Sequence, residues 1–398
     1  MEKYKRHQIF WKIIRFIVPS VLKPLYKYSY ELAPKLEPPY LVFSNHNGDL
    51  DPALVALSFP QQMYFVASEH VYRAGFASKI LRFVFEPIAK RKGTADAVTV
   101  MKSIRALREG KNVCIFPEGQ KSFNGITGEI NIATGKLVKA SKASLVTYKL
   151  EGGYFTTPRW GKGIRKGKMH GSIVNIYNKE DLEKLSPEEI TDLVKKDLYE
   201  DAYQKQSQNP IAYKGKNLAE GIEHALCLCP ECKQIDTLFS KKNSVFCKNC
   251  DFTTSIDIYG YFDESCKFKT VLQWDEFQQE ELKKLIQEKS SEKSEFIFSD
   301  DEVTLKTVKA EHQEEIIGTG KFSMFTDKFI FNSVKDEKEI SLEIPQKNIV
   351  DISMYGKQAL VFSDNNGNYY ELTSKNIINV RKFISCFKSA VIETFKGS

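Results

Sequence analysis

A histidine and an aspartate lie five positions apart in residues 44–51, which read SNHNGDLD. A neutral imidazole is a general base near pH 7, and a carboxylate on its other nitrogen fixes the tautomer and stabilises the imidazolium. Gly48 lets the chain turn back so that the two side chains can meet. The spacing therefore predicts a catalytic pair, His46 and Asp51, between a buried strand and a helix.

The same pattern has a purely structural interpretation. Asp51 followed by Pro52 also fits a helix N-cap with proline in the first turn. His46 would then be an ordinary turn histidine, so the pair alone does not decide between the two interpretations.

A second candidate residue, Glu118, lies in the sequence FPEGQKS at residues 116–122. The apolar run NVCIF precedes it, so Glu118 is expected at the carboxyl end of a strand, where open α/β sheets bind ligands. The alternative is a turn residue that binds backbone amides.

A cationic loop follows another predicted strand, at residues 88–96, which read IAKRKGTAD. Arg91 and its lysine neighbours suit a phosphate group, because their side chains form charge-assisted hydrogen bonds with its oxygens. A solvated surface charge is the alternative for Arg91.

Three segments, taken in order, resemble the motifs of the glycerolipid acyltransferase family: Asn45-His46-x4-Asp51, Arg91-x-Gly93 and Phe116-Pro117-Glu118-Gly119. The resemblance covers roughly residues 30 to 180. It implies that His46 deprotonates a hydroxyl of the acceptor lipid while Asp51 orients the imidazole. The hydroxyl oxygen would attack the thioester of acyl-CoA or acyl-acyl carrier protein directly, so a carrier protein is an implied partner.

The resemblance also implies an acceptor site for a lysophospholipid, 1-acyl-sn-glycerol-3-phosphate. Another lysolipid or glycerol-3-phosphate is the alternative acceptor. In this sequence Gln120 lies between Gly119 and Lys121, so that Lys121 stands where the family usually has arginine. The residues predicted to hold the glycerol phosphate are Arg91, Gly93, Glu118, Gly119 and Lys121.

Four of the eight cysteines form two Cys-x2-Cys pairs about 15 residues apart. This is zinc-ribbon spacing, in which four thiolates surround one ion and leave no open position, so the zinc is structural. Cys227 is an alternative ligand, or a buried thiol beside the site. The predicted zinc ligands are Cys229, Cys232, Cys247 and Cys250.

A zinc ribbon also supports a function of another class, because such modules bind nucleic acid or protein. On that hypothesis the chain is a binding or scaffold protein with an inactive acyltransferase domain. The complete set of His46, Asp51 and Glu118 argues against this, and we expect no nucleic-acid partner.

Composition and charge indicate a globular protein, and the charge suits an anionic partner such as a membrane, nucleic acid or phosphorylated substrate without selecting one of them. The 398 residues are 42% hydrophobic and 27% charged, with a net charge of +7. Near the N-terminus, HQIFWKIIRFIV places Phe10, Trp11 and Ile17 on one helical face and basic residues on the other. This is typical of a helix in a membrane interface, and a helix packed on its own domain is the alternative. We predict a cytoplasmic protein, peripheral on the inner face of the cell membrane.

A basic loop, PRWGKGIRKGKMHG at residues 158–171, has several interpretations. Its charges suit an anionic headgroup, the phosphates of CoA or an acidic carrier protein, and Trp160 suits a membrane-facing loop. Aromatic and basic residues together also suit single-stranded nucleic acid. A solvated hairpin is the remaining alternative.

Changes of pattern divide the chain into five segments. Apolar runs at 40–43, 63–67, 84–89, 112–116, 145–150 and 172–177 alternate with helical stretches, which predicts an α/β acyltransferase domain whose buried sheet is flanked by helices. The C-terminal part predicts antiparallel strands, an Asn366-Gly367 hairpin turn and a closing helix, which resembles a pleckstrin-homology-like or GRAM-like barrel. The predicted segments are 1–35 (amphipathic membrane-interface helices), 36–224 (acyltransferase domain), 225–262 (zinc ribbon), 263–294 (linker helix) and 295–398 (β-rich domain).

Overall fold

The structure is a computed structural model that describes residues 2–73, 75–94, 97–289, 294–308, 314–335, 337–376 and 378–396. The described residues divide into two compact units. The first unit lies within residues 1–91, 96–218 and 257–261, and the second within 92–95, 219–256 and 262–398. The predicted acyltransferase segment therefore falls mainly in the first unit, and the ribbon and β-rich segments fall mainly in the second.

Seven strands of the first unit form one sheet in the order β1-β7-β6-β2-β5-β3-β4. Neighbouring strands run parallel, except that β7 is antiparallel to β6. The strands are β1 (Tyr28–Tyr30), β2 (Tyr40–Ser44), β3 (Met63–Ser68), β4 (Ile88–Lys90), β5 (Asn112–Ile115), β6 (Ser144–Glu151) and β7 (Met169–Tyr177).

Both faces of this sheet are covered by helices. On the central strand β2, Val42 packs into one apolar cluster, with residues of α1 and α2, while Leu41 and Phe43 pack into the other, with residues of α4, α5 and α8. The predicted buried sheet flanked by helices is thus confirmed. The helices are α1 (Glu2–Tyr26), α2 (Asp51–Ser58), α3 (Gly75–Val84), α4 (Ala97–Arg108), α5 (Ala133–Ser141), α6 (Gly153–Thr156), α7 (Lys179–Leu182), α8 (Pro187–Leu198) and α9 (Ala202–Gln208).

Side-chain bonds define the start of α8, and one predicted strand, at 84–89, differs from the structure. Ser186 caps α8, and its side chain and that of Glu189 form a reciprocal capping box. The apolar run 84–89 does not form a strand over its whole length, because residue 84 ends α3 and β4 begins only at Ile88. A short apolar run fits a buried helix end as well as a strand.

Helix α1 has an inner and an outer face that differ from the predicted ones. Trp11 lies in the core, 2% exposed, and its indole N–H donates to the carbonyl of Phe59 at 3.2 Å. Ile17, predicted on the same face, is 56% exposed. The inner face follows Trp11, Leu22 and Tyr26, which pack against the sheet. No helix among the described residues has both the length and the apolar composition needed to cross a membrane.

The second unit combines the ribbon with the β-rich region. Three ribbon strands pair in the order β10-β9-β8, and seven later strands form an antiparallel sheet in the order β14-β13-β12-β11-β17-β16-β15. Helix α11 closes this sheet, which confirms the predicted β-rich region with its C-terminal helix, while the PH-like or GRAM-like type stays a prediction. The elements are β8 (Leu238–Lys241), β9 (Ser244–Cys247), β10 (Thr253–Ser255), α10 (Val271–Lys289), β11 (Phe296–Val308), β12 (Glu314–Phe325), β13 (Lys328–Lys335), β14 (Lys338–Pro345), β15 (Ile349–Tyr355), β16 (Ala359–Asp364), β17 (Tyr369–Ser374) and α11 (Val380–Lys396).

Ion pairs that involve buried groups connect the elements of the second unit. The ammonium group of Lys382, on α11, is fully buried between Asp236 of the ribbon and Asp300 of β11. Helix α10, predicted as a linker, buries Trp274 completely and pairs Asp275 with Arg381 of α11. The high charge of α10 hid this buried face from the sequence interpretation.

Candidate active site

The histidine loop, residues 45–50, joins the carboxyl end of β2 to α2, and it carries His46 and Asn47. His46 Nδ1 lies 2.9 Å from Asp51 Oδ2, and the same oxygen accepts the backbone N–H groups of Asn47 (2.6 Å) and Gly48 (2.8 Å). Asp51 is the first residue of α2 and Pro52 follows it, so the same aspartate begins the helix and pairs with His46. The loop is folded around one buried carboxylate oxygen.

The His46 ring is held on two sides. It stacks on Phe116, with 4.4 Å between the ring centroids, while its side chain stays 21% exposed. With the Nδ1 proton donated to Asp51, the neutral ring has its basic lone pair on Nε2. This arrangement suits a general base that acts on a group arriving from solvent.

Glu118 follows β5 and binds backbone amides with both oxygens. Its Oε1 accepts the N–H of His46 at 2.7 Å, and its Oε2 accepts the N–H of Gly128 at 2.6 Å. Desolvation raises the pKa of Glu118 to about 8, against the opposing effect of these two donors. The structure thus brings Glu118 to His46 as a support of the main chain, and its predicted contact with substrate stays a prediction. Gly119 follows in the left-handed conformation, with φ +67°.

Two basic side chains lie beside these turns. Lys121 binds Asp49 of the histidine loop at 2.7 Å. A Cβ atom added to Gly119 would lie 3.5 Å from Lys90 Nζ, so this ammonium group is adjacent to the Glu118–Gly119 turn. Two ammonium groups therefore lie beside the turns that carry His46 and Glu118.

Arg91 is paired within the first unit, and Gly93 belongs to the second. Arg91 Nε lies 3.3 Å from Glu69 Oε1. Gly93 has φ +72°, its carbonyl accepts the hydroxyl of Ser363 at 2.6 Å, and an added Cβ would lie 2.8 Å from the carbonyl oxygen of Val361. The glycine is required by this close approach to β16, and the structure does not group it with His46 in one unit.

The sequence interpretation missed Glu200, which lies between α8 and α9. Its side chain is buried, and it accepts the amide N–H groups of Asn45 (2.8 Å) and Asn47 (3.3 Å). Burial raises the pKa of Glu200 to about 7. Its position 155 residues after Asn45 left no local signal in the sequence.

In the basic loop at 158–171, Trp160 and both arginines are buried, which corrects the interpretation of Trp160 as a membrane-facing residue, while Lys162, Lys166 and Lys168 are exposed. Trp160 is 2% exposed, and the guanidinium of Arg165 covers its ring at 5.0 Å. Arg159 is also buried, where it binds Gln120 Oε1 at 2.8 Å and stacks on Phe123. These two arginines are buried because their guanidinium groups stack on aromatic rings and bind polar oxygens within the first unit.

The four predicted zinc ligands converge in the second unit. Their sulfur atoms all lie within 4.8 Å of one another, and the pairs Cys229–Cys250 and Cys232–Cys247 are each 3.7 Å apart. A tetrahedral zinc with Zn–S bonds of about 2.3 Å has S···S distances of about 3.8 Å, so the residues fit this ion. Cys227 instead packs against Gln278 of α10, outside the cluster.

Residues 25–151 match the family model described as Acyltransferase. This segment contains β2, the histidine loop and the Glu118 turn, so the family match covers the candidate active site. The 1-acyl-sn-glycerol-3-phosphate acyltransferase of Borreliella burgdorferi is 23% identical over 154 residues, which cover 38% of this chain and 60% of that protein. The 1-acyl-sn-glycerol-3-phosphate acyltransferase alpha of Mus musculus is 32% identical over 89 residues, 22% of this chain and 31% of that protein.

The chain thus spans less than two thirds of the length of these curated relatives. Among solved structures, the 1-acyl-sn-glycerophosphate (LPA) acyltransferase PlsC from Thermotoga maritima is similar with a TM-score of 0.41 and 17% identity. That similarity covers 50% of this chain and 80% of the PlsC chain.

Proposed function

We propose that the chain transfers a fatty acyl group from acyl-CoA or acyl-acyl carrier protein to the hydroxyl of a lysophospholipid, with 1-acyl-sn-glycerol-3-phosphate as the first candidate. The observation that carries this proposal is the 2.9 Å contact between His46 and Asp51 at the carboxyl end of β2, within the acyltransferase domain.

The proposed reaction needs one base and no covalent enzyme intermediate. Nε2 of His46 takes the hydroxyl proton as the oxygen attacks the thioester carbonyl, and Asp51 stabilises the imidazolium. The tetrahedral intermediate then expels the thiolate, which takes the proton back from His46. The products are the ester and the free thiol, and the histidine is neutral again.

The acceptor phosphate is assigned to the cationic side of the site. Lys90 lies beside the Glu118–Gly119 turn, Lys121 binds Asp49 of the histidine loop, and Arg91 follows β4. Charge-assisted hydrogen bonds from these groups would favour a phosphorylated acceptor over a neutral one.

Membrane attachment is proposed for the outer face of α1. Phe16 is 85% exposed, and its exposed neighbours on this face are Ile9, Ile13, Ile17 and Val21. Lys12 and Lys23 are exposed on the same helix. Apolar side chains flanked by lysines suit the surface of an anionic bilayer, and attachment to the inner face of the cell membrane would bring the site to its lipid acceptor.

The test is thiol release from acyl-CoA and acyl-acyl carrier protein, with a panel of lysolipids and glycerol-3-phosphate in micelles. Wild type, His46→Ala and Asp51→Asn are compared with His224→Ala, a histidine of the second unit. We expect acceptor-dependent release that falls about 10²- to 10⁴-fold in the first two variants and persists in the third. Release with another lysolipid would change the assigned acceptor. The absence of His46-dependent release with every combination of donor and acceptor would refute the proposal.

A further inference from the structure

The side-chain amide of Asn45 is fully used in positioning the start of the histidine loop. Its Oδ1 accepts the N–H of Leu150 at 2.7 Å, and its Nδ2 donates to the Leu150 carbonyl at 2.9 Å and to Glu200 Oε2 at 2.8 Å. Asn45 is thereby tied to the end of β6 and to Glu200. The residue before His46 has one defined position.

The residue after His46 is tied to the same oxygen atom. Asn47 Nδ2 donates to Glu200 Oε2 at 3.3 Å, and the N–H of Gly152 lies 3.4 Å from Glu200 Oε1. Because Asn45 and Asn47 flank His46, one carboxylate oxygen restrains the main chain on both sides of the histidine. Asp51 fixes the ring, Glu118 fixes the His46 amide, and Glu200 fixes the two neighbours.

Glu200 is itself rigidly placed. Its own N–H donates to Thr127 Oγ1 at 2.8 Å, and its carbonyl accepts the N–H of Thr127 at 3.0 Å. The whole residue is only 3% exposed. A buried carboxyl group is costly unless hydrogen bonds compensate it. Here the compensating side-chain donors both come from the histidine loop.

We propose that Glu200 is a positioning residue for His46, and that it acts through the amides of Asn45 and Asn47. In its kinetic part this inference rests on the proposed function. A displacement of about 1 Å in a catalytic group can lower turnover about 10²-fold. Loss of Glu200 should therefore lower kcat strongly and leave KM for the thioester nearly unchanged.

A cavity gives this residue a specific test. Glu200, Gly152, Phe155 and Tyr213 line a cavity of about 930 Å³ within the first unit, and exposed residues such as Lys168 and Asn209 lie at its rim. In Glu200→Ala, a small carboxylate such as acetate could enter by this route and replace the missing acceptor. Chemical rescue of this kind separates positioning from general stability.

Asp197 supplies the matched control. It is a buried carboxylate in the last turn of α8, and it accepts from Thr147, Asn175 and Tyr177 at 2.7 to 2.8 Å, with no bond to the histidine loop. Asp197→Asn should lower stability while it keeps kcat and KM. Glu200→Gln preserves the side-chain volume, so it can be measured in place of Glu200→Ala if that variant does not fold.

The experiment compares these variants in two measurements. Steady-state kinetics with and without acetate should show a kcat about 10- to 100-fold lower in Glu200→Ala, a smaller loss in Glu200→Gln and partial rescue of Glu200→Ala by acetate. Hydrogen exchange of a peptide covering residues 44–52 should be faster in Glu200→Ala than in Asp197→Asn.

The kinetic and the exchange measurements test the proposed function and the positioning role independently. If the wild type has no thioester turnover, the proposed function falls, and faster exchange of 44–52 in Glu200→Ala still supports the positioning of the loop. Exchange at the wild-type rate in a folded Glu200→Ala, or a loss of kcat equal to that of Asp197→Asn, would overturn the inference.

Discussion

The backbone N–H of His46 donates a 2.7 Å hydrogen bond to Oε1 of Glu118, which lies 72 residues further along the chain. The second oxygen of Glu118 accepts the N–H of Gly128, so this carboxyl group connects the loop after β2 to the segment between β5 and α5 through main-chain atoms. A base that must accept and return a proton benefits from a fixed main chain, because less reorganisation is needed at each turnover.

Glu118 should make the stability of the first unit pH-dependent. Its pKa rises from 4.5 to about 8 on folding, so between these values the folded state keeps a proton that the unfolded state has lost. Its stabilising contribution is therefore complete below pH 4.5 and is lost as the pH rises through 8, with a slope of up to about 1.4 kcal/mol per pH unit. Urea unfolding of wild type and Glu118→Gln from pH 5.5 to 8.5 measures this. The free-energy difference between the two proteins should change with pH, and parallel curves would show that Glu118 does not titrate in this range.

Zinc should be bound by four cysteines and not by the neighbouring one. Cys229→Ser removes a predicted ligand, whereas Cys227→Ser changes a buried thiol two residues away that contacts Gln278. We expect the wild type and Cys227→Ser to bind zinc and Cys229→Ser to lose it, with a lower Tm, since a structural zinc contributes directly to folding. Metal analysis by atomic emission and thermal unfolding measure both effects. Equal zinc content in the two variants would contradict the ligand assignment.

Removal of the Lys382 charge should destabilise the second unit by about 3 kcal/mol, because the largely buried carboxylate of Asp300 loses its partner, whereas Asp236 is 36% exposed and can be solvated. Burial already raises the pKa of Asp300. Lys382→Met is compared with Lys388→Met, an exposed lysine of the same helix α11, in urea unfolding. A triple variant that also carries Asp236→Asn and Asp300→Asn should regain part of the loss. An unchanged Lys382→Met would mean that the ion pairs contribute no net stability.

The outer face of α1 should bind anionic bilayers. Phe16→Asp places a charge at the most exposed apolar position of that face, and Val334→Asp makes the same kind of change at a residue that is 67% exposed on β13. Flotation with phosphatidylglycerol vesicles should recover the wild type and Val334→Asp but much less of Phe16→Asp, because burial of a carboxylate in the interface is unfavourable. Equal flotation of all three proteins would exclude this face as the attachment site.

The elements with strong local signals could be predicted from the sequence. Asn366-Gly367 marked the turn between β16 and β17, where Gly367 has φ +82°. The cysteine spacing predicted the cluster that the structure shows. Each of these signals lies within one short stretch of the chain, which is why the sequence alone was sufficient.

Contacts between distant segments could not be predicted in this way. Trp160 and Arg165 gave the pattern of an exposed basic loop, but their mutual stacking makes them part of the core. Glu200 gave no pattern, because its role depends on the pairing of β6 with β2 and on the position of α8. The sequence shows that a side chain is charged, but only the folded structure shows which groups pair with that charge.

The hydrogen bonds of Glu200 show that the folded unit around His46 extends beyond the segment that matches the family model. The matched segment ends at residue 151, whereas the carboxylate that restrains Asn45 and Asn47 comes 49 residues later. Strand β7 and helix α8, which complete the sheet and cover it, also follow residue 151. A chain cut at the end of the match would keep His46, Asp51 and Glu118 and yet lack Glu200, so on the proposed role of Glu200 we expect that a fixed histidine loop needs a chain that extends beyond this residue.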